Sequence, residues 1–294
     1  MLYRCYAKIN LTLEILRRRD DGFHELASLV HTVSLGDDLR VEPADELLTR
    51  VEGLELDPET NLVSRAAALM STSLNERRGA ELSLVKRIPA AAGLGGGSSD
   101  AAATLAALNT LWGSRLNHVA LGRLAAQLGS DVPFFLRGGA AVMRGRGEQL
   151  EVLPPRTGQW LVVLVPPHDV LDKTRRLYGA LAPADFSDGS ITARAVHSLA
   201  CGEVVQETDL VNAFTRPALE VFAGLDAAWH GAEKICERRF FLSGAGPALF
   251  AFASGRGDAN EQVAKLAYPA YAVRTVKHAR ASTGVAAPGG IEYP

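Results

Sequence analysis

The sequence predicts a mixed fold of strands and helices with a break near its middle. Apolar and polar residues alternate strictly near the start, from Cys5 to Ile15. A glycine-crowded loop, Gly93-Leu94-Gly95-Gly96-Gly97, joins a strand pattern to a helical one. Pro154 and Pro155 then interrupt the pattern and mark a boundary, with units at 1–154 and 155–294. A chain of 294 residues has room for two modest domains or one large one.

Composition narrows the classes. A hydrophobic fraction of 47% is that of an ordinary globular protein. A formal net charge of -2 gives no electrostatic reason to expect nucleic acid. Cys5, Cys201 and Cys236 are far apart and form no C-x-x-C pair, so neither a disulfide frame nor a zinc knuckle is suggested. Reduced thiols fit a cytoplasmic setting. The opening residues lack a signal peptide's apolar run, and no stretch has the length of a membrane span, so no membrane partner is expected.

Taken in order, Cys5, Ala7, Ile9, Leu11, Leu13 and Ile15 form the apolar face of one strand. Lys8 and Asn10 share its other face, and by spacing alone that face is solvated. Asp20-Asp21-Gly22 signals a hairpin turn. Phe23 and His24 follow, either to grip a planar ring or to pack on the sheet; locally the packing role is the simpler one. Residues 29–35 and 39–41 read as strands, with 47–51 weaker. Pro58 and Asn61 start a helix whose stripe is Leu62, Ala66, Leu69 and Met70, and Gly79 stops the segment after it. A strand over 80–88 leads into the glycine loop.

The loop reads Pro89, Ala90, Ala91, Ala92, Gly93, Leu94, Gly95, Gly96, Gly97, Ser98, Ser99, Asp100. Glycines let several N–H groups turn toward one point. Ala101, Leu105, Leu108 and Trp112 continue at helical spacing, with Gly97 or Ser98 as N-cap, and the helix ends near Gly113. Donors gathered at a helix N-terminus form an anion site, and phosphate suits it better than a merely flexible loop does. No G-K-[ST] closes the loop, so it is not a Walker A element.

Asn117 caps a second helix with Leu121, Leu124, Ala125 and Leu128 on one face, and Gly129 is placed to stop it. Pro133 biases Val132 toward extended geometry, so the helix does not continue through Ser130–Phe135. Asp131 is then either a desolvated general base or a turn aspartate bonded to its own backbone. Residues 140–143 read as a strand and 144–147 as a turn with exposed arginines. After the proline pair come a buried strand over 160–165, helices over 173–181, 191–200 and 216–237, and a strand-turn-strand through Gly244-Ala245-Gly246-Pro247. A helix over 259–266 and a strand over 270–276 follow, and the tail at 286–290 reads as frayed.

Several motifs agree in order along nearly the whole chain. They are A-K-I-N-L-T-L at 7–13, R-R-D-D-G-F-H-E-L at 18–26, P-A-A-A-G-L-G-G-G-S-S at 89–99, G-S-D-V-P-F-F at 129–135 and L-S-G-A-G-P-A at 242–248. Together they resemble the GHMP small-molecule kinases, and the first two narrow the resemblance to the 4-diphosphocytidyl-2-C-methylerythritol kinase branch. The resemblance implies a two-domain α+β fold, a ribosomal-protein-S5-type first domain and a ferredoxin-like second, with the site in the cleft between them. It implies transfer of the γ-phosphoryl of ATP to a tertiary 2-hydroxyl in the non-mevalonate isoprenoid pathway, by a monomer or homodimer. Other readings are a GHMP kinase for another small alcohol and a nucleotide-binding regulator without chemistry.

Carried over by position, Asp131 matches the general base and Lys8 its partner. Such a base is worth roughly 10²–10⁴ in rate. Asn10 matches a substrate contact. Phe23, His24 and Tyr178 match the cytosine site, with two rings sandwiching the base and His24 reading its edge. Pro89 to Ser99 match the ATP-binding stretch, with Gly93 to Ser99 as the phosphate cradle; Asn61 and Leu62 match positions near the adenine and Lys86 flanks it. Gly244, Ala245 and Gly246 match the third motif. Mg²⁺ is expected to travel with ATP, held mostly by phosphate oxygens and waters. There are three departures from the family pattern: Phe23 stands for a usual Tyr, Asp100 for Asn, and Asp172-Lys173 for a Ser-containing pair.

Overall fold

The computed structural model describes every residue except 55–59, 76–77, 169 and 283–294. Pro58 and the tail over 286–290 lie outside the described residues. Its elements, in order, are β1 (Leu2–Asn10), β2 (Thr12–Arg18), β3 (His24–Glu42), β4 (Leu47–Glu52), α1 (Leu62–Leu74), β5 (Ala80–Val85), α2 (Gly96–Leu111), α3 (His118–Leu128), α4 (Val132–Phe135), β6 (Ala140–Gly145) and β7 (Gln149–Leu153). The second half adds β8 (Trp160–Leu164), α5 (Lys173–Gly179), α6 (Ser190–Ala200), β9 (Val211–Asn212), α7 (Thr215–Val221), α8 (Leu225–Cys236), β10 (Phe241–Leu242), β11 (Leu249–Ala253), α9 (Arg256–Lys265), β12 (Ala270–Arg274) and β13 (Arg280–Ser282).

β3 is the trunk of the larger sheet. Its start pairs with β2 and β6, and its end pairs with β1 and β5. The segments read separately as 29–35 and 39–41 are thus one continuous strand. The sheet has nine strands among the described residues, and β9 and β13 return to it from the second half of the chain. A second sheet runs β10-β11-β8-β12, all antiparallel. β9 and β13 are too short to leave a period in the sequence.

The alternation from Cys5 to Ile15 is not one strand: it breaks at Leu11 into β1 and β2. Nor is its polar face solvated. Lys8 is 4% exposed, and Thr12 and Glu14 are buried as well. The cover comes from distant chain. Thr192 at the start of α6 donates its amide to Glu14 (2.6 Å) and its hydroxyl to Thr12 (2.9 Å). Ser243 accepts the Asn10 amide at 3.3 Å. Period-two patterning reports polarity, and only the packing of later elements decides whether a polar face meets water.

α1 is capped by Asn61, whose side chain accepts from the Val63 amide (2.9 Å), but its buried stripe is Val63, Ala66, Ala67 and Met70. It ends at Asn75 in a left-handed conformation (φ 52°), ahead of Gly79. α2 begins inside the glycine loop, with Gly95 rather than Gly97 or Ser98 as N-cap. It is buried from Ser99 through Leu108 on every side. Alanines dominate that stretch, which lets α1, α4 and β3 approach its backbone closely. α3 starts on Asn117 as expected, and Gly129 ends it in an extended rather than left-handed conformation. The segment read as one helix over 216–237 is two, α7 and α8, separated where Gly224 takes a φ of 79°.

Pro133 does not force Val132 to be extended. The chain re-enters a helical turn, α4, with proline in its first turn, where no amide is needed. That turn aims Asp131 from the end of α3 toward β1.

Leu105 is fully buried at the centre of α2. Replacing it with alanine is expected to cost about 2–5 kcal/mol of stability, read as a lower urea midpoint with an unchanged m-value.

Candidate active site

One strand, two loops and a helical turn meet at one point. Lys8 and Asn10 end β1, Gly93 to Gly95 cross below them, Gly244 lies opposite, and Asp131 approaches from α4. The Lys8 amide donates to the Leu94 carbonyl (2.9 Å), and the Ala248 amide donates to the Ala92 carbonyl (3.0 Å). Gly93 (φ +87°) packs so tightly that an added Cβ would lie 2.4 Å from the Ser243 carbonyl oxygen. At Gly244 (φ +55°) a Cβ would lie 3.1 Å from Lys8 Nζ and 2.9 Å from Asn10 Oδ1. Glycine is required at both places because backbone passes against backbone and against the lysine.

Lys8 Nζ stands 3.6 Å from Asp131 Oδ2. Lys8 also donates to Asn10 Oδ1, and the Asn10 amide group donates to Ser28 Oγ (2.8 Å). Ser28 in turn donates to the Thr12 carbonyl (2.6 Å). The lysine is thus held by a buried chain of partners, whereas the Asp131 side chain remains 35% exposed. A fixed cation beside a reachable carboxylate suits removal of a proton from an alcohol followed by stabilisation of its oxygen.

The glycine loop walls a cavity of 270 Å³. Pro89 to Ser98 line it, together with Asn61, Leu62 and Lys86, so the proposed nucleotide contacts share one wall. The first helical bond of α2 runs from the Ser99 amide to the Gly95 carbonyl (2.9 Å). The amides of Gly96, Gly97 and Ser98 therefore have no helical acceptor and are available to an anion. Ser99 turns away from this cavity: it is 2% exposed and its hydroxyl is buried without a partner.

Comparison with known proteins bears on the same residues. The family described as GHMP kinases N terminal domain matches residues 61–139, which hold the loop and Asp131. A 4-diphosphocytidyl-2-C-methyl-D-erythritol kinase of Dehalococcoides mccartyi is 39% identical over 92% of this chain and 96% of its own length. The chain belongs to the 4-diphosphocytidyl-2-C-methyl-D-erythritol kinase family. The Gloeobacter violaceus member is 37% identical over 90% of this chain and 89% of its own. A crystal structure of a 4-(cytidine 5'-diphospho)-2C-methyl-D-erythritol kinase superposes with a TM-score of 0.78 at 37% identity, covering 94% of this chain and 99% of the other. A homoserine kinase from Cytophaga hutchinsonii, 19% identical with a TM-score of 0.68 over 96% of each chain, shares the GHMP fold.

Within this kinase family's framework, the structure explains the Asp100 departure. Asp100 points inward and accepts from Lys86 Nζ (2.8 Å), and Lys86 also donates to Asp37 Oδ2. Asp37 Oδ1 accepts the Ile88 amide (2.7 Å) and the Arg87 amide, fixing the link from β5 to the loop. Lys86, expected to flank the adenine, is committed to this buried triad. Asp100 lines the same cavity as the glycine loop, and there its carboxylate accepts from Lys86, whose charge offsets its own.

His24 stacks on Tyr178 with centroids 5.0 Å apart and 26° between planes. Tyr178 also meets Phe214 edge-on at 4.9 Å. Burial, and then the charge of Asp131, push the Tyr178 hydroxyl up to about 12. Phe23 lies outside that stack, 53% exposed, with the Arg146 guanidinium 4.5 Å above its ring. Ala245 and Gly246 continue the loop opposite Lys8. Sequence reading missed Asn212, whose side-chain amide donates to the Leu242 and Gly244 carbonyls (2.9 Å each) and so sets that loop. It named Lys173 only as a departure from the family pattern and gave it no role, whereas its ammonium donates to the Gly246 carbonyl. Neither lies in a motif, and only its distant partner reveals each one.

Burial, with a contribution from Asp37, pushes the Asp100 carboxyl up to about 7, against the pull of Lys86. Between its unfolded value and about 7 the folded chain holds the proton that the unfolded chain releases. This group therefore lowers stability as pH rises through that window. Asp100→Asn is expected to remove that loss, so its Tm relative to the parent is higher at pH 7 than at pH 5; thermal melts at the two pH values check it.

Proposed function

We propose that this protein phosphorylates the 2-hydroxyl of 4-diphosphocytidyl-2-C-methyl-D-erythritol with ATP, giving the 2-phosphate, a step of the non-mevalonate isoprenoid pathway. The observation that carries the catalytic reading is the approach of Lys8 Nζ to Asp131 Oδ2, 3.6 Å, beside the glycine loop. Asp131 takes the hydroxyl proton as the oxygen bonds to the γ-phosphorus and the bond from that phosphorus to the ADP oxygen breaks. Lys8 stands beside the alcohol oxygen as its negative charge develops. Asn10 orients Lys8, and the amides of residues 96–98 hold the donor phosphates.

The units 1–154 and 155–294 supply the two walls of the cleft in this reading. The cytosine stacks between Phe23 and Tyr178, and His24 leaves the face of Tyr178 to meet the edge of the base. Phe23 offers stacking without the hydrogen bond a tyrosine would add. Among the described residues no group of three or more His, Cys, Asp or Glu is placed to hold a metal. Mg²⁺ enters this reading as a companion of ATP, neutralising its phosphates and ligated mostly by their oxygens and by water. The cytoplasm is the proposed compartment: Cys5, Cys201 and Cys236 are free thiols. Among the described residues no helix is long and apolar enough to cross a membrane.

ADP release with the cytidyl substrate, free methylerythritol, homoserine and mevalonate, each supplied with ATP, tests the assignment. Turnover of the cytidyl substrate alone is expected; turnover only of an alcohol lacking cytidine would move the protein to another GHMP activity. Asp131→Asn is expected to lower kcat by about 10²–10⁴ while leaving ATP affinity intact. Undiminished turnover in that variant would remove Asp131 as the base.

A further inference from the structure

Lys173 is the first residue of α5 and follows Asp172, which takes a left-handed conformation (φ 51°). The same helix carries Tyr178, so one short element delivers an ammonium and an aromatic ring to the site. Lys173 donates to the Gly246 carbonyl, on the loop whose Gly244 packs against Lys8 Nζ. Burial, and then the charge of Lys8, press the Lys173 ammonium down to about 8.

The charge of Lys173 is not matched by an acid. Lys8 has Asp131, Lys86 has Asp37 and Asp100, and Lys265 has Glu261. Among the described residues no carboxylate lies within ion-pair distance of Lys173. Its partner is a single neutral carbonyl, which occupies one of its three N–H donors. A half-buried ammonium with a second cation nearby is unfavourable unless an anion joins them. Both substrates in the proposed reaction bring phosphate to this place.

We propose that Lys173 is a further phosphate-binding residue of this site, giving its remaining donors to a phosphate oxygen next to Lys8. That oxygen belongs either to the diphosphate of the cytidyl substrate or to the terminal phosphate of ATP. This assignment rests on the kinase reading above. The simpler role, a strut that only holds the Gly246 carbonyl, predicts that ligands with and without phosphate suffer alike when the lysine is lost.

Calorimetric titration of the parent protein, Lys173→Met, Lys173→Gln and Lys173→Arg with CDP, cytidine and ATP separates these roles. Loss of a charge-assisted hydrogen bond is expected to weaken CDP about 10- to 100-fold in the Met and Gln variants. Cytidine binding stays unchanged, and Arg restores part of the CDP affinity. If the loss falls on ATP instead, the oxygen is that of the donor. Unchanged CDP and ATP affinities, or equal losses for CDP and cytidine with ATP unaffected, overturn the proposal. If the parent binds ATP but neither cytidine nor CDP, the cytidyl reading fails, and the ATP titrations alone decide for or against Lys173. Thermal melts identify any variant that does not fold, and the Gln variant then stands in for Met.

Discussion

The site depends on a loop pinned from both sides. Lys8 of the larger sheet donates its amide to Leu94, and Ala248, leading into the smaller sheet, donates its amide to Ala92. These backbone bonds hold residues 92–94 between the sheets, and the glycines allow that approach because a side chain there would strike a carbonyl. One consequence is that the cradle of unpaired amides at the start of α2 and the Lys8–Asp131 pair have a fixed relation. Phosphoryl transfer makes few demands on a protein beyond position and charge, so that relation is most of what the fold must supply.

Charge is arranged in two layers. Behind the loop, Lys86 is shared by Asp37 and Asp100 in a buried triad that shapes the path from β5 into the cradle. In front, Lys8 pairs with Asp131, and Lys173 reaches the Gly246 carbonyl with no carboxylate at ion-pair distance among the described residues. The rear layer is internally paired and serves structure. The front layer carries an excess of positive charge, which is the condition a site for anionic substrates requires. The Asn-to-Asp departure at position 100 belongs to the rear layer, where Lys86 absorbs it.

Much was legible from short-range chemistry. Asn61 and Asn117 cap their helices because their side chains reach amides two or three residues on. The apolar face of α3 and the run forming β8 needed only periodicity. The failures share a cause. The break at Leu11, the burial of Lys8, Thr12 and Glu14, the turn of α4 and the division of α7 from α8 depend on what packs against each segment or on how one residue turns the chain. β9 and β13 are defined by their partners in the sheet rather than by their own residues.

The amino-acid sequence by itself determined the glycine loop, the order of the motifs and hence the kinase family, because these are properties of local residue type and spacing. The tertiary structure alone decided that Asp100 is paired with Lys86, that Ser99 turns from the cavity, and that Lys173 reaches the Gly246 carbonyl. The physical reason is that the field at a charged group comes from whatever surrounds it in space. For Lys8 and Lys173 those surroundings come from stretches far apart along the chain.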